Sequence, residues 1–416
     1  MAQRSLSDIL ATAAVDLTSY ETLYKHFHTH PELSLQEKAT SETIASHLSQ
    51  LGAYEIHTNI GGYGLVGVLK NGIGKTILLR ADMDALPVKE LTGLPYASSV
   101  TMSDADGTEK PVMHACGHDM HITCLLAAAE VLARIQNTWS GTLIPNEERG
   151  GGAQAMVDDG LYSKIPMPDY VFGQHVMRMR AGAVGSRPGT IMAAADSMKI
   201  TLFGRGGHGS QPHQTVDPVL LAAHVVVRLQ NIVSREVDPS DLAVVTVGSL
   251  QAGQTENIIA DRAEIGVDFR SVKLETREKI ISAIRRIVEA ECLASGSPKP
   301  PLFTPTRRFP PTNNDKHVAA QLAASFRNHF EDFDDDTPRT NVSEDFSTLG
   351  TSQGLPCSFW FIGGIDPELW DKGQRKETPM EEIPGNHSAL FAPVIQPTMK
   401  TGVDALCIAA LTFLKK

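Results

Sequence analysis

Ile77, Leu78 and Leu79 run without interruption between Thr76 and Arg80. A strand with no polar face is covered on both faces, which is the habit of parallel sheets buried between helices. Beyond the segment His114–His121, apolar residues fall at Ile122, Leu125, Leu126, Ala129, Leu132 and Ala133, which is helical spacing. From the start to about Arg187 the pattern alternates strand and helix and predicts an α/β fold with a mostly parallel sheet. The stretch from Met1 to Phe27 reads as a first amphipathic helix, Val318–Phe330 as a late one, and Ser358–Ile362 as another buried strand.

The texture changes after Gly189. Met198–Phe203 alternates apolar and polar, as a half-buried strand does. Asp217-Pro218 supplies a helix cap and first turn, followed by Val219, Leu220, Ala223, Val226 and Val227 at helical spacing. Strand-like Ala243–Val247 and Ala263–Phe269 come next. A helix with Ile280, Ile281, Ile284, Ile287 and Val288 on one face follows, and Leu302 onward gives a last strand. The order βαββαβ is that of a ferredoxin-like unit. Ser295–Pro311, rich in Pro and basic residues, reads as the hinge back. The expected organisation is a discontinuous α/β domain over 1–192 and 307–416, with an α+β domain inserted over 193–306.

Lys and Arg total 37 against 48 Asp and Glu, a formal net charge of −11. A phosphate-backbone binder carries the opposite sign, so nucleic acid is not an expected partner. Five scattered cysteines make no disulfide framework and suit a reducing compartment. No apolar run approaches the roughly 20 residues that span a bilayer, and no signal-peptide core is evident. A soluble, cytoplasmic protein is the expectation. The acidic run Glu331–Asp336 reads as a solvated loop rather than a cation site.

The densest set of coordinating groups is His114-Ala115-Cys116-Gly117-His118-Asp119-Met120-His121, placed where a loop meets a helix N-terminus. That position favours a thiolate. Two of these residues can be metal ligands if others arrive from distant loops; taken alone, a reactive or structural cysteine is the simpler account. Downstream stand the adjacent carboxylates Glu147 and Glu148, followed by Gly150-Gly151-Gly152. Neighbours in an extended segment point to opposite sides, so one carboxylate can ligate a metal while the other faces a water as general base. A bare Glu-Glu pair is also a common surface feature. His175 ends the apolar run Tyr170–His175, where a strand meets the active edge of a sheet, and His387 sits in a turn-rich loop.

In combination these segments are recognisable. LLRADMDALPV (Leu78–Val88), MHACGHDMH (Met113–His121), PNEERGGGAQAMVDDGLY (Pro145–Tyr162), FGQHV (Phe172–Val176), GRGGHGSQPH (Gly204–His213) and PGNHS (Pro384–Ser388) occur in this order, preceded by His28-Thr29-His30-Pro31-Glu32-Leu33. The chain resembles, over nearly its whole length, the metal-dependent N-acyl-amino-acid amidohydrolases. These form the hippurate hydrolase and auxin–amino-acid conjugate hydrolase branch of the aminoacylase–carboxypeptidase metallopeptidases. The resemblance implies a zinc-aminopeptidase-like catalytic domain with an inserted ferredoxin-like dimerisation (lid) domain, and hence a homodimer. It implies two divalent ions, Mn²⁺ or Zn²⁺, held by Cys116, His118, Glu148, His175 and His387, with Glu147 as catalytic base. His208 matches a histidine that reaches substrate across a dimer, and Asn257 and Arg270 match positions associated with the substrate carboxylate. Asp82 and Asp84 fall at a strand end near the metals, with Asp84 read as an orienter of a ligand rather than a ligand.

One departure stands out. Members of that family carry a longer apolar strand before the Glu-Glu pair, whereas here Gly141-Thr142-Leu143-Ile144 runs straight into Pro145, about four residues short. About 13 Å of extended chain is missing, which predicts Glu147 and Glu148 displaced from Cys116 and His118. The alternative function is therefore a catalytically impaired relative that binds acyl-amino acids. A cysteine hydrolase using Cys116 with His114 or His118 is a third reading, without an orienting triad to support it.

Overall fold

The computed structural model describes residues 5–13, 15–104, 107–148 and 152–416, with only the backbone for 146–148. The chain divides into two compact units: Met1–Ile191, Asn313–Pro338 and Asp345–Lys416 form the first, Met192–Thr312 and Arg339–Glu344 the second.

Among the described residues the first unit is built on an eight-stranded mixed sheet. Its strands lie in the order Glu55–Ile60, Gly64–Asn71, Gly141–Glu148, Thr76–Asp82, Tyr170–Arg180, Cys357–Ile365, Val184–Gly185 and Phe333–Asp334. The central four run parallel. Ile77, Leu78 and Leu79 are wholly buried, as their unbroken apolar run requires. Helices His118–Arg134 and Thr398–Leu414 pack against that strand and share its core. Both are apolar nearly all round, the mark of a helix buried on every side.

Gly117, which starts the first of these helices, takes φ 83°. A Cβ there would lie 2.4 Å from Val176 Cγ1, so the left-handed turn and the close approach both require glycine.

The N-terminal stretch forms two helices, Leu6–Ala11 and Leu17–Thr29, rather than the single one expected. The break has a local cause. The Asp16 side chain accepts from Thr18 N at 3.0 Å and caps a new helix instead of continuing the old one. The second helix buries Tyr20, Tyr24, Phe27 and His28 on one face.

The short apolar run before the Glu-Glu pair does not shorten its strand. Pro145, Asn146, Glu147 and Glu148 are drawn into Gly141–Glu148, which pairs with Thr76–Asp82 from Thr142 to Glu148. On its other edge the ladder to Gly64–Asn71 keeps one register on both sides of a gap opposite Pro145, which has no N–H to donate. Gly67 faces that gap, and a Cβ on it would come within 3.4 Å of the proline ring.

The second unit follows the path βαββαβ: strand Ala194–Phe203, helix Pro218–Leu229, strands Ala243–Ala252 and Arg262–Ser271, helix Leu274–Ala294, strand Leu302–Phe309. The four strands form one antiparallel sheet, ordered Ala243–Ala252, Arg262–Ser271, Ala194–Phe203, Leu302–Phe309. The unit runs on to Thr312, past the expected boundary at 306, because that last strand completes the sheet across the segment read as a hinge. Both helices cover one face, over Met198, Ile200, Leu202, Ile265, Val267 and Phe269. Arg277 reinforces the packing with a buried two-point ion pair to Asp196, 2.7 Å at each contact. The other face carries Ser197, Lys199, Thr201, Glu264, Asp268 and Arg270, none of them buried.

The acidic run Glu331–Asp336 contributes the short edge strand Phe333–Asp334 and is otherwise exposed. Asp335 pairs with Arg327, and Asp336 with Arg187 at 3.5 Å.

Candidate metal centre

At the C-terminal end of the strand Thr76–Asp82, the side chains of Asp82, His118, His121 and His175 place one donor atom each within 4.8 Å of all the others, and all four residues are buried. Each arrives for a local reason. Asp82 ends a strand, and His118 and His121 sit three apart on one helix face. His175 lies just past the last residue of its strand that pairs with Thr76–Asp82, although the strand itself runs on to Arg180 rather than ending at the histidine.

The hydrogen bonds assign the nitrogens. His175 Nδ1 donates to the Val176 carbonyl at 2.7 Å, which directs Nε2 at the Cys116 thiol, 3.4 Å away. His118 Nδ1 donates to Asp84 Oδ1 at 3.0 Å and turns its Nε2 toward Asp82 Oδ2 at 3.3 Å. This is the carboxylate–histidine arrangement that orients a metal ligand, with Asp84 as orienter. Asp84 is itself held by Ser34. His121 is different. Its Nε2 accepts from Val176 N at 2.8 Å, so Nδ1 carries the proton and donates to Asp82. No lone pair remains on it, and its place is to orient Asp82.

The electrostatics agree. Burial alone would raise the Cys116 thiol, but His175 and His118 hold it well below its usual range. Burial opposes protonation of His175, yet the thiolate raises it to about 9. Asp82 is held well below the carboxylate range against its burial by His118, His121 and Arg80. The Arg80 guanidinium also donates to Asp345 Oδ1 at 2.7 Å, and the Asp345 carboxylate receives Ala153 N at 3.3 Å.

The donor set fits a divalent ion. Bonds of about 2.3 Å to sulfur and about 2.0 Å to nitrogen at a tetrahedral angle put the two donors about 3.5 Å apart. Cys116 Sγ and His175 Nε2 are 3.4 Å apart.

The other expected site residues fall as follows. Glu147 and Glu148 close their strand in register with Ala81 and Asp82; their side chains lie outside the described residues. His387 is exposed, so the structure does not bring its ring into the buried cluster, but its loop is pinned there. Its N–H donates to the Ala115 carbonyl at 2.7 Å, and Asn386 Nδ2 donates to the carbonyls of Cys116 at 3.1 Å and Val176 at 2.9 Å. His387 takes φ 71°, a conformation that costs a non-glycine residue roughly 1 kcal/mol or more.

In the second unit, His208 and Asn257 meet where Gly207–His208 pairs with Ile258–Ile259. Ser210 N donates to His208 Nδ1 at 3.1 Å, which leaves the ring proton on Nε2. Arg270 lies on the open sheet face, donating to Asp268 at 2.9 Å and to Ser343 at 2.6 Å.

Sequence reasoning missed a second buried network beside the cluster. His28 donates through Nδ1 to Asp119 at 2.6 Å and through Nε2 to Glu90 at 3.0 Å. Burial works against its charge, but the two carboxylates raise it to about 10. His114, offered above as a partner for Cys116, is buried, bonds through neither ring nitrogen, and is pushed down to about 4 by desolvation. The thiol meets His175 and His118 instead.

The arrangement defines a metallohydrolase centre at the end of a parallel sheet, and the comparisons agree. The profile of peptidase family M20/M25/M40 matches residues 78–384, and the chain belongs to that family. A hippurate hydrolase of Campylobacter jejuni is 44% identical over 281 residues, covering 65% of this chain and 70% of the relative. The IAA-amino acid hydrolase ILR1-like 5 of Arabidopsis thaliana is 33% identical over 348 residues, 82% of this chain and 76% of its own. The fold is shared with the Bacillus subtilis YXEP protein, described as a dinuclear metal-binding peptidase of the M20 family. The TM-score is 0.72 and the identity 24%, over 95% of this chain and 98% of that one. The chain is a metal-dependent amidohydrolase.

Proposed function

We propose that the protein hydrolyses the amide bond of N-acyl amino acids, releasing a carboxylic acid and a free amino acid. The observation that carries this reading is the buried thiolate–imidazole–carboxylate set of Cys116, His175, His118 and Asp82 at the end of a parallel sheet. Cys116, His118, Glu148, His175 and His387 would hold two divalent ions, Mn²⁺ or Zn²⁺. When bound, such ions supply Lewis acidity to a substrate carbonyl and acidify water.

The chain's own groups do the rest. Glu147 takes the proton of the attacking water and hands it to the departing amine. His208, with its proton on Nε2, donates to the developing oxyanion. Asn257 and Arg270 bind the substrate carboxylate. Asp84 and His121 keep His118 and Asp82 aimed.

The second unit acts as the dimerisation (lid) domain. Val219, Leu220 and Val227 are exposed on its first helix, and Ala243–Ala252 is an edge strand with Val244 and Leu250 exposed. Such a combination suits a two-fold partner. Five free, buried cysteines support a reducing, cytoplasmic setting, and no described helix is long and apolar enough to cross a membrane.

The test is a panel of acetyl, benzoyl and indole-acetyl amino acids assayed after chelation and after returning Mn²⁺ or Zn²⁺. Turnover that vanishes on chelation and returns with metal is expected. Hydrolysis that survives complete metal removal would overturn the reading, and a monomer by light scattering at micromolar concentration would overturn the dimer.

A further inference from the structure

The open face of the second sheet carries a cluster of which the proposed reaction has used only Arg270. Register places Asp268 opposite Ser197 on one side, and Ser197 opposite Arg307 on the other. The second pairing exists because of a bulge. Lys199 pairs with Thr304 and Met198 with Pro305, but Ser197 pairs with Arg307, so Thr306 is the extra residue. Were the register unbroken, Thr306 would pair with Ser197 and Arg307 would fall opposite Asp196, on the face covered by the helices. A bulge that re-aims one side chain is a built feature of a sheet.

Asp268 sits between two guanidinium groups. Its Oδ1 accepts from Arg270 Nε at 2.9 Å. Its Oδ2 accepts from Ser197 Oγ at 2.8 Å and from Arg307 Nη2. Neither arginine gives Asp268 its two-toothed edge, and neither has another acidic partner among the described residues. Arg270 keeps Nη2 unused, because Nη1 is taken by Ser343. Arg307 packs over the Phe309 ring, 5.7 Å from its centroid. Both side chains stay partly open, at 22% and 36% exposure. Two guanidiniums held side by side by one carboxylate, with donors to spare, form a preorganised receptor for a second carboxylate.

We infer that Arg307, aimed by the bulge at Thr306 and ordered by Asp268, joins Arg270 in binding the free carboxylate of the substrate. Arg307 is thus a specificity-determining residue, and Asp268 a positioning residue acting through both arginines. The inference rests on the N-acyl amino acid reading above and adds the reason for a free carboxylate. An ion-pair ladder that merely staples the sheet would lack this selectivity.

The experiment compares benzoylglycine with benzoylglycinamide, which differ only in that carboxylate, on the metal-loaded enzyme. In Arg307→Gln the KM for the acid should rise by about tenfold or more, the scale of a lost charge-assisted hydrogen bond. The preference for acid over amide should fall by a similar factor. Arg307→Lys should recover part of it, keeping the charge without the fork, and stands in for Arg307→Gln if that variant fails to fold. Asp268→Asn should raise the KM for the acid while kcat changes little. An unchanged KM for the acid, or losses that strike acid and amide alike, would overturn the clamp. Wild-type enzyme that hydrolyses neither compound, nor any other N-acyl amino acid, would instead remove the reading on which the clamp rests.

Discussion

The two sheets of this protein expose their chemistry in opposite ways. In the first unit the strand Thr76–Asp82 is buried on both faces, and the donors of the cluster gather past its C-terminal end, at Asp82, at Asp84 and at His175 part-way along the neighbouring strand. In the second unit Arg262–Ser271 alternates buried and half-buried residues, leaving a whole polar face beside the one its helices cover. A doubly covered parallel sheet offers chemistry only its edge, where backbone and core fix each donor. A singly covered antiparallel sheet offers a surface on which register places side chains in rows. Substitutions at the strand ends should therefore act on metal and turnover, and those in the second unit on recognition and stability.

The largest effects belong to the buried cluster and the carboxylates beside it. Cys116→Ala and His175→Ala should each lower bound metal and activity together, read by elemental analysis and initial rates on the same preparation. Glu147→Gln should keep its metal and slow turnover by about 100-fold or more, the usual scale of a lost general base. A wild-type rate in Glu147→Gln would show that the base is misassigned. It would also break the comparison, since strand register with Ala81 and Asp82 would then have placed an idle carboxylate.

Next comes the His28 network. Removing one partner from a buried charge group costs about 3–5 kcal/mol, so His28→Ala should destabilise the first unit by that order. The pH dependence has a definite sign. His28 is raised from 6.5 to about 10 in the folded state, so its contribution is complete below 6.5 and is lost as pH rises through about 10. The stability gap between wild type and His28→Ala, measured by denaturant melts, should be widest near pH 6 and narrow toward pH 10. A gap that widens with pH would reverse the assignment of charge to His28.

What the residues disclosed in advance follows the same division. The buried strand at Ile77–Leu79 and the helix after His118 were legible because burial on all sides writes itself as unbroken or helical apolar spacing. The βαββαβ path was legible from alternation. Asp82 was placed near the metals but given no role, and His121 was passed over, although it stands three residues after His118. Their partnership joins residues distant in the chain and is set by helix-to-strand packing. His28 with Asp119 and Glu90, and Arg307 with Asp268, were invisible for the same reason. The missing apolar residues before Pro145 suggested a gap, but the chain closes it by taking Pro145–Glu148 into the strand. Backbone pairing outweighed side-chain character there.

A third effect sharpens the contrast within the first unit. Gly117→Ala puts a side chain at φ 83° and 2.4 Å from Val176 Cγ1. The strain costs about 1–2 kcal/mol before any clash is counted. Because Gly117 lies between Cys116 and His118, metal affinity should fall along with stability, and a competition assay with a chromogenic chelator reads it directly.

The smallest effect tests the second unit alone. Asp217 caps the helix Pro218–Leu229, its Oδ1 accepting from Val219 N at 2.8 Å and from Leu220 N at 3.4 Å. Asp217→Ala leaves those N–H groups to water, at a cost of about 1 kcal/mol for a lost cap. The helix it begins covers the second sheet from the side opposite Asp268 and Arg270. The loss should therefore appear as a lower melting temperature, with metal content equal to wild type. Loss of metal in Asp217→Ala would show that the strand-end cluster depends on this helix, and the two sheets could no longer be treated as separate stages for binding and for chemistry.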